Sequence, residues 1–483
     1  MNKKLKKSKH YYIQDMLDVN DKKHFKKILK QHAGSPTKAT KIQKFMKKHI
    51  IFKYFALDER IRYFNYVQNF LKDIPEDSCV TQKQFTNRNG QHHNGLTIDN
   101  IIDLEKQMGR RSAYGIIYRT SVKNMLGRFP IASKLMEKNQ DNTKEVQLNT
   151  IFSNKILKNK LSRHFLLCYK TFTCSTSTPS YYIALNELAL GDLWSLCKTG
   201  SNNYIIQFLQ NDSVLLNIIL QCLLSVATFH KLGYIHQDCH GGNFLYHMTE
   251  DTSGYYRYKI LGKDFYLKNC GYTMMIYDFG LAEEYTTKRP DYYDHYDNTF
   301  NKQLYNQDNN RNRPFIYDYY DYRNTMRTFW KEYCYPHLTD TVKPFIDNIM
   351  ELSSPNKYQN EDELITDLCK LFVETCPVND LFTDELPANQ KCINIKPYII
   401  DDSLHSISHS RRTSPTAART SPTAARTSPT AARTSPSSSS RSSSSYDIML
   451  SSSSASSGMS GLSSSASSSS SLTLPKTKIR RLT

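Results

Sequence analysis

The stretch that decides the fold is YIHQDCHGGNFL, at residues 234–245, and a second stretch, IYDFGL, follows at residues 276–281. The first places Asp238 and Asn243 in the pattern H-x-D-x-x-x-x-N. The second places Asp278 in D-F-G after a short apolar run. Either pattern alone is weak, because short motifs recur by chance in long chains. The two in this order, each beside apolar strand-like residues, form a specific signal.

These residue types suit the transfer of a phosphoryl group, which requires aligned reactants and neutralised negative charge. A carboxylate such as Asp238 can accept or orient the proton of an acceptor hydroxyl. Asn243 and Asp278 offer the hard oxygen ligands that Mg²⁺ prefers. Gly280 allows the chain to turn directly after the metal ligand. We therefore expect Asp238 to be a catalytic residue and Asn243 and Asp278 to be ligands of Mg²⁺.

A degenerate glycine-rich loop, GRRSAYGIIY, occupies residues 109–118. Gly115 takes the third glycine position of G-x-G-x-x-G-x-V, and Ile117 takes the valine position. Ser112 stands where the second glycine belongs, which reduces backbone freedom near the phosphates. We expect Ser112, Gly115 and Ile117 to contact the nucleotide.

The next element, FPIASKLM at residues 129–136, is similar to a strand ending in V-A-I-K. It makes Lys134 the candidate ligand of the α- and β-phosphates. A helical pattern opens at residue 143, and Glu145 within it is the expected ion-pair partner of Lys134. Glu137 competes for that role, although it follows the lysine too closely to lie on a separate helix.

Over residues 100–400 these motifs together resemble the eukaryotic-type protein kinase family. The Lys- and Tyr-rich sequence is most similar to serine/threonine kinases of giant DNA viruses. The resemblance implies an α+β, bilobal protein-kinase-like fold, with a small β-rich N-lobe, a larger helical C-lobe and a disordered C-terminal tail. It also implies ATP with Mg²⁺ in the cleft and serine or threonine hydroxyls of a protein substrate as acceptors.

The same resemblance assigns a hinge to the strand at residues 181–187 and the LALGDLW that follows it. By that assignment Glu187, Leu188 and Ala189 line the adenine site, and Asn186 is the gatekeeper. His240 stands where the family's serine/threonine enzymes carry a lysine near the γ-phosphate. It is therefore the second catalytic candidate beside Asp238.

Two departures from the family pattern leave alternatives open. Gln237 replaces the usual Arg of H-R-D, and no A-P-E follows D-F-G. The pattern H-x-D-x-H-x-x-N also occurs in aminoglycoside- and choline-kinase-like enzymes, so a small-molecule phosphotransferase is one alternative. A pseudokinase scaffold is another, although the retained Lys134, Asp238, Asn243 and Asp278 argue against it.

Composition and the kinase resemblance together divide the chain into four parts. Residues 1–100 form a basic, mainly helical extension, residues 101–190 the N-lobe and residues 191–400 the C-lobe. Residues 403–483 are Ser-, Arg- and Pro-rich, carry RTSPTAA repeats, and cannot bury enough apolar surface to fold. The serines before proline in these repeats are either phosphorylation targets or part of a spacer. They are Ser414, Ser421, Ser428 and Ser435.

The net charge of +19 favours acidic partners. The basic N-terminal arm either docks on nucleic acid or an anionic surface, or covers the kinase core with a solvated helical face. The eleven cysteines include no C-x-x-C pair, which indicates reduced thiols. We expect a cytoplasmic protein (host cytoplasm or virion if viral) that is not secreted and has no transmembrane segment, with the apolar residues 213–229 forming a buried helix.

Three further expectations concern the second half of the chain. Most of residues 249–269 is expected to be an inserted hairpin or loop, because kinases have only a short connection there. Residues 323–375 show a helical apolar pattern. Asp318 or Asp321 is the candidate anchor for the helix that follows.

Overall fold

The computed structural model describes residues 56–86, 90–112, 115–123, 125, 131–176, 179–198, 211–249, 251–285, 318–319, 322–323, 339–352 and 357–409. The predictions for the basic arm before residue 56, for residues 286–317 after D-F-G and for the repeats beyond residue 409 lie outside this part of the chain. Within it the expected α+β class is confirmed, with a β-rich region followed by helices.

The β-rich region is a seven-stranded antiparallel sheet with the order β1-β2-β3-β4-β5-β7-β6. Its first two strands precede residue 101, so the sheet takes in part of the segment that the sequence assigned to a helical extension. The strand bounds are β1 (Val80–Thr86), β2 (His92–Ile98), β3 (Ile102–Ser112), β4 (Gly115–Val122), β5 (Ile131–Glu137), β6 (Cys168–Cys174) and β7 (Tyr181–Glu187).

Two helices accompany this sheet. Helix α1 (Leu57–Phe70) buries Phe64 and Val67 completely in the hydrophobic core. Helix α2 (Gln140–Ile151) begins where the Asn139 side chain accepts a hydrogen bond from the backbone N–H of Asn142 at 2.8 Å, a standard N-cap. It continues into a π-helical turn at Phe152–Leu157. The cap fixes the start of α2 and thereby the position of Glu145, which follows less than two turns later.

Helix α4 (Asp212–Lys231) is the central helix of the second region, and it follows the short helix α3 (Leu193–Lys198). It is long and apolar enough to cross a membrane, but nearly all of it is buried inside the fold. A helix that is apolar all round and covered by protein is typical of a domain core. The prediction of a buried helix at residues 213–229 is therefore confirmed.

Three small sheets surround α4. Strand β10 (Phe244–Met248) lies between β13 (Tyr272–Ile276) and β8 (Gly191–Asp192), and β9 (Tyr234–Ile235) pairs with β14 (Glu283–Glu284). The inserted hairpin is β11 (Tyr255–Ile260) with β12 (Lys263–Lys268), as the sequence predicted. Strands β15 (Phe382–Thr383) and β16 (Tyr398–Ile400) extend this hairpin into a four-stranded sheet. That extension was not predicted, because these pairings join segments more than a hundred residues apart.

The helices near the C-terminus are α5 (Val342–Leu352), α6 (Glu361–Thr375) and α7 (Ser403–His409). The first two confirm the helical pattern over the described part of residues 323–375. Helix α7 lies in the segment that the sequence assigned to a disordered tail. Ser408 fixes it, because its backbone oxygen accepts from Lys155 Nζ at 2.8 Å and its hydroxyl donates to the backbone oxygen of Leu232 at 2.9 Å. Helix α7 is thus tied to the rest of the fold through Lys155 and Leu232.

Cys79, just before β1, and Cys174, at the end of β6, form a disulfide. The expectation of reduced thiols throughout is wrong for this pair, because the fold brings together two cysteines 95 residues apart that no local spacing would connect. The other described cysteines are free. A cytoplasmic location stays a prediction.

Candidate active site

Lys134 lies at the centre of the candidate site. Its Nζ donates to the two carboxylate oxygens of Glu145 at 2.9 and 2.7 Å, and to Oδ1 of Asp278 at 2.9 Å. Strand β5, helix α2 and the turn after β13 supply one residue each. Glu137, the competing partner, is exposed at the end of β5. The structure thus brings three predicted site residues together and favours Glu145 over Glu137 as the partner of Lys134.

The buried charges of this cluster shift one another's ionisation. Burial disfavours the charged ammonium, but the carboxylates of Glu145 and Asp278 outweigh it and raise the pKa of Lys134. Burial, against the opposing effect of Lys134, raises the pKa of Glu145 to about 7. Burial also acts to raise the pKa of Asp278, yet Lys134 prevails and lowers it. Lys134 and Asp278 are therefore a charged pair at neutral pH.

The D-F-G segment is held by its aromatic residue. Phe279 is 1% exposed, stacks on Phe229 at 5.2 Å between ring centroids and meets Phe152 edge-on at 5.0 Å. His236 of the catalytic loop packs against the same ring at 5.7 Å. Asp278 itself has a φ of +69°, a conformation that non-glycine residues rarely adopt. The buried Phe279 anchors the chain beside this strained residue and so fixes where the carboxylate lies.

The predicted catalytic loop is a short turn with its polar groups linked to one another. Nδ2 of Asn243 donates to the backbone oxygen of Asp238 at 2.9 Å and to its Oδ2 at 3.0 Å. His240 Nε2 lies 3.5 Å from the same Oδ2, and its Nδ1 accepts from the N–H of Gly242 at 3.0 Å. The side chain of His240 is 41% exposed and that of Asp238 is 21% exposed. Asp238 is therefore fixed by Asn243 while remaining open to a substrate.

The carboxylate of Asp318 holds the backbone of this loop in place. It accepts hydrogen bonds from the backbone N–H groups of His236 at 2.5 Å and Gln237 at 2.7 Å. His230 Nε2 lies 2.8 Å from Asp318, and His230 Nδ1 lies 2.7 Å from Glu361. The sequence pattern predicts that Asp318 or Asp321 anchors the following helix. The structure instead shows Asp318 holding the backbone of the catalytic loop, and Asp321 lies outside the described residues.

Asn243 and Asp278 are adjacent, since the N–H of Tyr277 donates to the backbone oxygen of Asn243 at 3.0 Å. Both hydrogen bonds from the Asn243 amide use Nδ2, which leaves Oδ1 as a metal donor. In Asp278, Oδ1 accepts from Lys134, which leaves Oδ2. No group of three or more His, Cys, Asp or Glu side chains forms a metal cluster among the described residues. Two hard oxygens fit a Mg²⁺ ion that takes its other ligands from water and nucleotide phosphates.

The glycine-rich loop forms the β3–β4 hairpin, in which Ser112 pairs with Gly115. Gly115 has a φ of +139°, and a Cβ there would lie 2.5 Å from the backbone oxygen of Leu135. Only glycine fits such a position. Ile117 pairs across β4 and β5 with Lys134 and is 36% exposed. The register therefore places this hairpin beside the strand that carries the lysine.

The predicted hinge follows β7, but its first residue has an unexpected role. The carboxylate of Glu187 is 1% exposed and binds Arg60 and His247. The hinge assignment concerns backbone groups, so the contact of Glu187 with adenine stays a prediction. Ala189 packs against a small cluster of Leu166, Met275 and Tyr277. The gatekeeper candidate Asn186 donates from Nδ2 to the Tyr277 hydroxyl at 3.1 Å.

Arg60 and His247 are functional candidates that the sequence did not reveal. Arg60 lies in a segment assigned to the extension, and His247 follows the catalytic loop without belonging to a motif. Both are buried, at 1% and 0% exposure. The sequence offers one hint, which is an arginine among the apolar residues of a helix. Such an arginine more often lies at the edge of a core, with its charge exposed, than inside the core.

Comparisons with known proteins give the following result. No protein-family model matches the chain, and no curated protein matches it. Among solved structures, the BubR1 kinase domain is similar with a TM-score of 0.41 and 15% sequence identity, over 65% of this chain and 92% of that one.

Proposed function

We propose that this chain is an ATP- and Mg²⁺-dependent phosphotransferase with a bilobal kinase-type catalytic unit, most consistent with transfer to serine or threonine hydroxyls of proteins. The single observation that carries the proposal is the Lys134 ammonium, bonded at once to Glu145 and Asp278. A buried lysine held by two carboxylates from distant segments supplies a positioned positive charge, and phosphate oxygens would take the place of the Asp278 oxygen as an acceptor from Nζ.

The nucleotide would be bound by residues from both regions. Glu145 orients Lys134 toward the α- and β-phosphates, and the β3–β4 hairpin with Gly115 lies beside them. Asn243 and Asp278 would hold Mg²⁺, which when bound neutralises charge on the phosphates. The backbone after β7, including Ala189, would contact the adenine.

The acceptor would meet Asp238. Its carboxylate, held by Asn243 Nδ2, would orient the acceptor hydroxyl and take up its proton as the oxygen attacks the γ-phosphorus, while the bond from that phosphorus to the bridging oxygen breaks and ADP leaves. His240, within 3.5 Å of that carboxylate and substantially exposed, would donate a hydrogen bond to the transferred phosphoryl group. Asp238 would thus accept the proton, and His240 would bind the phosphoryl group.

A small-molecule acceptor is the second candidate. It is favoured by His240, which stands two positions after Asp238. This is the H-x-D-x-H-x-x-N pattern that also occurs in aminoglycoside- and choline-kinase-like enzymes. The exposed ring of Trp194 lies 5.4 Å from the His240 ring and provides an aromatic surface next to the reacting groups. Such a surface suits a compact acceptor that carries a positive charge.

Transfer of label from γ-labelled ATP to a panel of acceptors tests the proposal and separates the two candidates. The panel contains a basic protein, a casein-type protein, an aminoglycoside and choline, each with wild type and Asp278→Ala in the presence of Mg²⁺. Label on protein serine or threonine in wild type alone supports the protein kinase. Label on a small acceptor alone supports the second candidate. No transfer to any acceptor, with no autophosphorylation, overturns the proposal and leaves a scaffold.

A further inference from the structure

A buried ion pair joins helix α1 to the end of β7. Arg60 Nε donates to Oε1 of Glu187 at 2.8 Å, and Nη2 donates to Oε2 at 2.8 Å. Both side chains are 1% exposed. A bidentate pair of this kind fixes direction as well as distance, because the guanidinium is planar and each oxygen meets its own N–H. Helix α1 is therefore locked to the residue at which the chain leaves the sheet.

The same guanidinium binds a second segment. Nη1 donates to the backbone oxygen of Arg163 at 3.1 Å, and Nη2 donates to that of Phe165 at 2.5 Å. Between these two residues, the backbone oxygen of His164 accepts from the N–H of Ile276 at 3.0 Å, and Phe165 bridges to Ile276. Ile276 ends β13, two positions before Asp278. Arg60 thus contacts the segment that pairs with the strand delivering the candidate metal ligand.

Glu187 extends the network to β10. His247 Nε2 lies 2.7 Å from Oε1 of Glu187, and the N–H of Leu167 donates to Oε2 at 2.9 Å. His247 lies four residues beyond Asn243 and pairs with Thr273 of β13. Burial lowers the pKa of His247, so it is neutral near pH 7 and contributes no full positive charge. Arg60 is then the cationic partner of Glu187 within the described part of the chain.

We infer that Arg60 is a positioning residue for the nucleotide and metal site, acting through Glu187 on the backbone after β7 and through residues 163–165 on the strand before Asp278. The inference rests on the proposed function, because it takes the positioned groups to be those that bind ATP and Mg²⁺. Helix α1 is on this account part of the catalytic unit, although the sequence places it in an extension. Removing the guanidinium would leave the Glu187 carboxylate buried without its cation, so the segments on both sides would shift.

The test compares Arg60→Met with wild type in two measurements. Hydrogen exchange without nucleotide reports on residues 181–190 and 272–280. Calorimetry reports the affinity for ATP in the presence of Mg²⁺. Lys83→Met is the matched control, because Lys83 forms an ion pair with Asp103 at 2.7 Å within the same sheet but touches neither segment. We expect faster exchange in both segments and an ATP affinity about tenfold weaker in Arg60→Met, a typical coupling between sites. Lys83→Met should change neither.

Exchange and affinity unchanged in a folded Arg60→Met, or changed equally in Lys83→Met, would overturn the inference and leave Arg60 with a purely structural role. Should Arg60→Met fail to fold, Arg60→Lys keeps the charge but loses the bidentate contact, and the same two measurements apply to it. Wild type that binds no ATP would count against the proposed function alone. The exchange data would then decide whether Arg60 couples the two segments.

Discussion

The ammonium of Lys134 lies 2.9 Å from Oδ1 of Asp278, a residue 144 positions further along the chain. This contact joins the seven-stranded sheet to the D-F-G segment. It holds a cation and an anion side by side where phosphates and a metal ion would require them. The predictions below follow from this arrangement and from the groups that support it.

Asp238→Ala should lower turnover by about 10²–10⁴-fold, the usual contribution of a positioned general base. ATP binding should persist, because Asp238 makes no contact with Lys134 or the β3–β4 hairpin. Steady-state kinetics with calorimetry on the same preparation would separate the two effects. Equal turnover in the variant would remove Asp238 from the mechanism.

Glu145→Gln should weaken ATP binding while leaving the fold intact. The amide keeps the size of the side chain and one acceptor oxygen but no longer pairs its charge with Lys134. Glu137→Gln is the matched control, since this exposed glutamate precedes the same helix and should have no effect. Equal ATP affinity in the two variants would contradict a role of the Glu145–Lys134 ion pair in binding.

Asp318→Asn should reduce both stability and activity. The amide keeps one acceptor oxygen, but it loses the charge that pairs with His230 and puts an N–H donor in place of the second oxygen, so the backbone N–H of His236 or of Gln237 loses its acceptor. Breaking a buried pair typically costs about 3–5 kcal/mol. Urea unfolding measures the first effect, and turnover at low temperature, where the variant is still folded, measures the second. A destabilised variant with full turnover would show that Asp318 does not position the loop.

The stability of the protein should fall between about pH 6.5 and 9 because of His230. Burial opposes its charged form, but Glu361 and Asp318 prevail and raise its pKa from 6.5 to about 9. The folded state therefore holds the proton more tightly than the unfolded state. The resulting stabilisation is complete below pH 6.5 and is lost as the pH rises through 9, with a magnitude on the order of 3 kcal/mol.

Unfolding curves of wild type and His230→Gln over this pH range would check the effect. The glutamine variant should be less stable at low pH and show a flatter profile, since it has no proton to lose. Parallel profiles for the two proteins would assign the pH dependence to other groups.

Phe279→Ala should cost about 3–5 kcal/mol, as expected for removing a fully buried aromatic side chain. Phe279→Leu should cost less, because it fills part of the space between Phe152 and Phe229. If the rings position Asp278, Mg²⁺-dependent ATP binding should weaken in the same order. Thermal unfolding and calorimetry on both variants would show whether stability and binding change together.

Sequence motifs predicted the central residues of the candidate site because each of them stands at a fixed place in a recognisable pattern. Lys134, Glu145 and Asp278 come from separate patterns, and the fold places them within hydrogen-bonding distance. The inserted hairpin was also predictable, since 34 residues separate Asn243 from Asp278, where the kinase resemblance implies only a short connection. The motifs do not establish what each residue does in a reaction.

The supporting network was not predictable in the same way. Arg60 lies on a helix whose apolar period gives no indication that one charged residue turns inward to meet Glu187. Strands β1 and β2 were assigned to a helical extension because the lysine-rich residues before them dominate the composition of that region. The boundary at residue 403 was placed early for a related reason, since helix α7 is serine-rich and depends on contacts with Lys155 and Leu232 rather than on its own propensity.

Calorimetric titration of ATP into the full chain, with and without Mg²⁺, tests the central claim most directly when wild type is compared with Lys134→Met. The account predicts that wild type binds ATP more tightly with Mg²⁺ and that Lys134→Met, although folded, loses most of this affinity. Wild type that binds no ATP, or a Lys134→Met variant that binds it equally well, would contradict the assignment of Lys134, Glu145 and Asp278 as a nucleotide and metal site.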